Sequence, residues 1–318
     1  MTRVRAEGLL RVGALALIWG SGFLWIKIAL RGFSPTQVTL MRLVLGALVL
    51  VIVVYAQGRR LPRGWKLWGH LTVAALFANA APYLLFVIGE QTVSSSTAGI
   101  INCTTPLWTM LLAYTIGHDR AIGVRRTAGL LLGFAGTVVI FTPWSTGTQL
   151  MTFGGFACLL ASVCYAISYL YMDRFLVNRG MPPIALSASQ LTAASGLLLA
   201  STPIDGMRPI IVRPDALVPI VILGVLGTGV AYVLNYRIIE EDGAVVGSVV
   251  TYLLPVVAVS LGWLVLAERP TAFTALGTGT VLVGITLARI RSSSDHLEHH
   301  RRPHSRPGRL RGKRPGRK

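Results

Sequence analysis

The side chains of this chain that can do chemistry are amides, phenols and an arginine set inside apolar sequence, and they recur at helical spacing. Asn79, Tyr83, Phe86 and Glu90 follow one another at steps of four, three and four, which puts them on one face of a helix. Asn102, Thr105 and Thr109 do the same, Tyr165 and Tyr169 share a face, and Tyr232, Asn235 and Tyr236 cluster on one side of a further stretch. Trp19, Gln190 and Tyr252 lie in other apolar stretches and complete the candidate lining. An unpaired amide facing hydrocarbon is costly, so these positions point inward. Two readings stand side by side. One is interhelical hydrogen bonding, worth roughly 0.6–2 kcal/mol per contact, with aromatic residues at the membrane interface. The other is the polar and aromatic wall of a solute cavity. Such a wall suits a small organic solute with an apolar or aromatic part, held by stacking, or by cation–π contact if cationic.

Charges inside the apolar stretches are few. Lys27 and Arg42 would each cost roughly 2.5–3.5 kcal/mol at a helix centre. Lys27 sits about one turn from an end and can snorkel. Arg42 lies about 9 Å along its helix, where it either pairs with an acid or a substrate carboxylate, or anchors a neighbouring helix end. The acids Glu90, Asp119, Asp173, Glu240, Glu241, Asp242 and Glu268 gather at stretch ends. Glu90 continues the Asn79 face and is the candidate for proton coupling, against the plainer reading of a hydrated helix-end carboxylate. Pro106 and Pro255 interrupt two stretches at mid-depth, as hinges or as static kinks. No metalloprotease spacing, Walker loop or paired acids within the stretches is visible; no catalytic residue, metal or cofactor is expected.

The elements that carry these residues are ten apolar stretches: 8–30, 36–56, 67–89, 94–117, 125–141, 151–172, 183–201, 216–237, 244–266 and 271–289. A helix needs about 20 apolar residues to cross a bilayer core, and backbone in lipid must satisfy its own hydrogen bonds. Only 13% of residues are charged and 53% are hydrophobic, outside the balance of a soluble domain. The first stretch offers no clear cleavage site and is read as a retained span. Cys103, Cys158 and Cys164 all lie within stretches, as packed thiols. The expectation is an all-α integral membrane protein of ten transmembrane helices.

Loop charges orient it. With residues 1–7 in the cytoplasm, inside segments hold 13 Lys or Arg against 4 outside, the tail left out, so both termini are cytoplasmic. The net charge of +18 belongs largely to short loops and to a basic tail, residues 291–318. That tail lacks core-forming and stacking residues; it is expected to be disordered and to lie near anionic lipid, with no nucleic-acid role.

Features also recur 146 to 149 residues apart. Pro35 and Arg42 are echoed by Pro183 and Gln190, Tyr83 by Tyr232, Pro106 by Pro255, and Gly129 with Gly136 by Gly277 with Gly284. Two units of five spans, 8–141 and 151–290, must then lie in opposite orientations, a signature of secondary transporters. Gly129 and Gly133 form a small-residue face for close packing, with a homodimer as its second use.

The chain resembles the drug/metabolite transporter superfamily, specifically its EamA-type ten-span members. The residues that carry the resemblance are Trp19-Gly20-Ser21-Gly22-Phe23, Pro35 with Arg42, Tyr165-Ala166, Ala244 to Pro255, and Ala267-Glu268-Arg269-Pro270. After the fourth stretch the sequence departs from the family's Glu-Arg ending and reads His118-Asp119-Arg120. The resemblance covers about residues 8–290. It implies a helix bundle around a central cavity opening alternately to either side, exporting a small organic metabolite (amino-acid-like, aromatic or drug-like) across the plasma membrane. The alternative is a membrane-embedded sensor or enzyme.

Overall fold

The computed structural model describes residues 2–29, 31–89, 92–93, 95–117, 123–141, 152–201, 214–266 and 271–289. All regular elements among them are helical. In chain order they are α1 (Thr2–Ala29), α2 (Pro35–Ala56), α3 (Trp65–Ala75), α4 (Ala81–Gly89), α5 (Ser95–Asn102), α6 (Thr105–Thr115) and α7 (Val124–Phe141). There follow α8 (Phe153–Phe175), α9 (Pro183–Ser201), α10 (Pro214–Gly224), α11 (Ala231–Asp242), α12 (Ala244–Ser248), α13 (Val250–Leu266) and α14 (Ala272–Arg289). A π-helical turn, Leu76–Ala80, joins α3 to α4, and a second, Val225–Val230, joins α10 to α11. The tail expected from sequence lies outside the described residues.

Local chemistry sets the ends. Ser34 and Gln37 form a reciprocal capping box ahead of α2, with Pro35 in the first turn. Thr152 caps α8 by accepting from the Gly155 N–H at 3.2 Å. Gly243, at φ +85°, ends α11, a conformation that suits glycine.

Within the bundle the apolar faces point both ways. On α2, Leu43, Ala47, Leu50 and Val54 are buried while Val44, Leu48, Ile52 and Tyr55 are exposed. Leu84, Leu131, Leu160, Leu199, Val221 and Leu282 likewise face outward. So much exposed apolar surface marks a lipid-facing exterior. Among the described residues, six helical stretches are long and apolar enough to cross a membrane: Thr36–Ala56, Trp65–Phe86, Phe153–Phe175, Pro183–Ala200, Ala216–Asp242 and Ala244–Leu261.

The two stretches that carry a mid-depth proline are both interrupted, one between α5 and α6 and the other at Val249, between α12 and α13, with Pro255 inside α13. Pro106 has no N–H for the Asn102 carbonyl, the chain breaks between α5 and α6, and Thr105 Oγ1 supplies the missing donor at 2.7 Å. Pro255 likewise leaves Thr251 O without its helical donor, and Cys103 Sγ, from the other half of the chain, donates to it at 3.6 Å. The two proline-weakened helices therefore meet where their backbones are interrupted.

The Gly129–Gly133–Gly136 face packs against α14. A Cβ on Gly136 would lie 2.7 Å from Val281 N and 2.8 Å from Gly277 O, and one on Gly129 would lie 2.7 Å from Gly284 O. This face is used within the chain.

Candidate functional site

Polar groups collect where the two π turns leave carbonyls bare. In the first, Pro82 offers no N–H to Ala78 O, and the Ala81 N–H reaches back to Leu76 O. Tyr232 Oη donates to that free Ala78 carbonyl at 3.2 Å. In the second, the Ala231 N–H bonds to Leu226 O and Thr228 O, passing over Gly227 O. That carbonyl accepts from Trp19 Nε1 at 3.2 Å and from Arg42 Nη2 at 3.3 Å. Ala78 and Gly227 are 149 residues apart, and each is capped by side chains from the opposite half. π turns are rare and favour functional sites.

From Tyr232 a buried chain of hydrogen bonds runs inward. Asn79 Nδ2 donates to Tyr232 Oη at 2.5 Å, Gln190 Nε2 donates to Asn79 Oδ1 at 3.1 Å, and Tyr236 Oη donates to Gln190 Oε1. Asn79, Gln190 and Tyr236 are fully buried. Such a network is satisfied only when all its members stay in register. It fastens α9 and α11 to the first π turn.

Beside it stands a half-buried aromatic wall. The Arg42 guanidinium carbon lies 5.7 Å from the centre of the Tyr83 ring, and Nε donates to Thr228 Oγ1 at 2.9 Å. Thr228 in turn donates to Leu223 O at 2.9 Å. Trp19 meets Tyr232 edge-on at 6.3 Å, and Phe86 stacks on Tyr165 at 6.1 Å. Tyr165 lies within electrostatic range of Tyr83, Arg42 and Tyr169.

The structure thus brings together Trp19, Arg42, Asn79, Tyr83, Tyr165, Tyr169, Gln190 and Tyr232. Asn235 is buried one turn from Tyr232 with Oδ1 unpaired, and Asn102 Oδ1 is buried and unpaired at the α5–α6 break. Tyr252 stands apart: its ring lies against Gly133 and its hydroxyl donates to Leu130 O at 3.0 Å, tying α13 to α7. Glu90 lies outside the described residues. Gly227, Thr228 and the Ala78 carbonyl were not legible as site groups, although Pro82 inside an apolar stretch was a signal for a bare carbonyl four residues earlier.

An all-helical bundle with lipid-facing flanks and a polar interior, pinned at two matching π turns, defines a multi-pass membrane protein. Comparison with known proteins is consistent with that class. The model of the EamA-like transporter family matches the chain twice, over residues 7–142 and 152–290, and the chain belongs to that family. An uncharacterized transporter of Archaeoglobus fulgidus is 27% identical over 267 residues, 84% of this chain and 93% of that protein. The uncharacterized transporter YdfC of Bacillus subtilis is 26% identical over 84% of this chain and 85% of its own length. A chloroplastic WAT1-related protein of Arabidopsis thaliana is 25% identical over 87% of this chain and 68% of its own. One solved crystal structure, 20% identical, shares the fold with a TM-score of 0.75 over 89% of this chain and 98% of that one.

Proposed function

We propose that this protein is a secondary transporter that exports a small organic metabolite across the plasma membrane by alternating access. Two five-helix units, residues 8–141 and 151–290, lie in opposite orientations around one central chamber, and both chain ends are cytoplasmic. The observation that carries this reading is the reciprocal capping of the two π turns, in which each half supplies donors to the other's bare carbonyl. Sites at the interface of two repeats, built on interrupted helices, are the working arrangement of carriers.

End-to-end pairing supports the opposed orientation. Arg11, in the first half of α1, pairs with Glu241 at the end of α11. His70, near the start of α3, shares a 2.6 Å hydrogen bond with Tyr171 near the end of α8 and stacks on Phe175. The first helix of one unit therefore begins at the end of the bundle where the first helix of the other unit finishes. The Arg59–Arg60 loop and the Gly180–Pro183 turn line one surface hollow with Glu240, which gathers the basic loops at that same end. The basic tail extends from the cytoplasmic side, where anionic lipid would hold it.

The test is flux of a labelled solute panel into liposomes holding the purified protein, with and without a proton gradient. Saturable flux that falls roughly tenfold in Asn79→Ala is expected, since the amide bonds both Tyr232 and Gln190. An unchanged rate in Asn79→Ala would remove the central network from the pathway.

A further inference from the structure

We infer that the transported solute carries an anionic group and that Arg42 receives it. This deepens the transporter reading and rests on it. Arg42 is fixed by two neutral acceptors, Thr228 Oγ1 on Nε and Gly227 O on Nη2. Those bonds occupy one side of the guanidinium. A guanidinium has five N–H donors, so both hydrogens of Nη1 and the second of Nη2 are left over, and no acceptor among the described residues takes them. They form a planar fork that matches the two oxygens of a carboxylate.

The charge itself argues the same way. Every described partner of Arg42 is neutral: a hydroxyl, a backbone carbonyl and the Tyr83 ring. These acceptors position the cation without discharging it, and a half-buried charge lacking a counter-ion is where a ligand's opposite charge gains most. The surroundings fit the rest of such a solute. The Tyr83 and Tyr165 hydroxyls hold no hydrogen bond among the described residues, and Trp19, Phe86 and Tyr165 present ring surface. A cationic solute, which aromatic rings alone would welcome, meets like charge at Arg42. The class indicated is a small organic carboxylate, aromatic members included.

The experiment measures binding to purified full-length protein, by ligand-induced thermal shift and intrinsic fluorescence. The probes are a series of aliphatic and aromatic monocarboxylates, each with its neutral amide and its amine counterpart. The expected result is that at least one carboxylate binds about tenfold or more tightly than its amide and amine, as a charge-assisted fork should. Arg42→Gln removes that preference, and Arg42→Lys keeps part of it. The ligand comparison on the unaltered protein needs no variant, so a variant that fails to fold does not blunt the test. Equal binding of the amides, preference for the amines, no binding by any carboxylate, or an unchanged preference in Arg42→Gln would each overturn the inference. Flux of the same series separates the two claims. Carboxylates bound through Arg42 but never carried would contradict the transporter reading alone, whereas flux confined to neutral or cationic members would contradict this inference alone.

Discussion

Tyr232 performs two tasks with one hydroxyl: it accepts from Asn79 and donates to the carbonyl that Pro82 leaves bare. Tyr232→Phe keeps the ring and strands two buried polar groups, a cost of roughly 1–3 kcal/mol. Thermal unfolding in detergent should show a lower midpoint, and an unshifted midpoint would mean that water or another side chain satisfies both groups. Glu90 belongs to the same sequence face, and Glu90→Gln should abolish any pH-gradient dependence of flux; unaltered dependence would exclude it as the coupling acid. At this scale the amides were legible, because Asn and Gln inside apolar sequence have few uses. Backbone carbonyls were harder: Pro82 signals the missing donor at Ala78, but nothing in the sequence does so for Gly227. Tyr252 shows the complementary limit: in a helix apolar on every side, spacing does not tell which face looks inward.

The elements are shaped by where backbone bonds fail. Apolar runs and capping signals locate the helices, yet a hydropathy pattern does not distinguish an α turn from a π turn. The break near Pro106 could be anticipated from the proline's missing N–H, whereas the other stretch breaks at Val249 and α13 runs on through Pro255; the contact of Cys103 with Thr251 could not be anticipated, because it is tertiary. The α7–α14 pair offers the sharpest test of packing. A side chain on Gly136 or Gly277 would run into the facing helix backbone, 2.7–2.8 Å away, and neither helix can yield without parting from the other. Gly277→Leu should therefore cost several kcal/mol, at or beyond the usual range for overpacking, read as loss of folded protein on size-exclusion chromatography. On the same helix, Gly279 has nothing within 4 Å of its Cβ position, and Gly279→Ala should leave the yield unchanged or raised, as alanine favours helix. Equal effects from the two substitutions would show that helix propensity, not the close approach, governs this pair.

At the scale of the whole molecule, the duplicated family match and the π turns 149 residues apart describe one unit used twice. In the proposed transporter the two copies are opposed, so that they could exchange roles as a chamber opens to one side and then the other. The pairs Arg11–Glu241 and His70–Tyr171 draw the halves together at the end where the basic loops gather. Loop charge supplies the expected orientation from sequence, while the pairs themselves are not legible there. Side-specific labelling of single cysteines tests the opposition most directly. Cysteines placed at Arg120 and at Arg269, in a background lacking Cys103, Cys158 and Cys164, should react from opposite faces of the membrane, Arg120 from the cytoplasm and Arg269 from outside. Labelling of both positions from the same face would contradict the account.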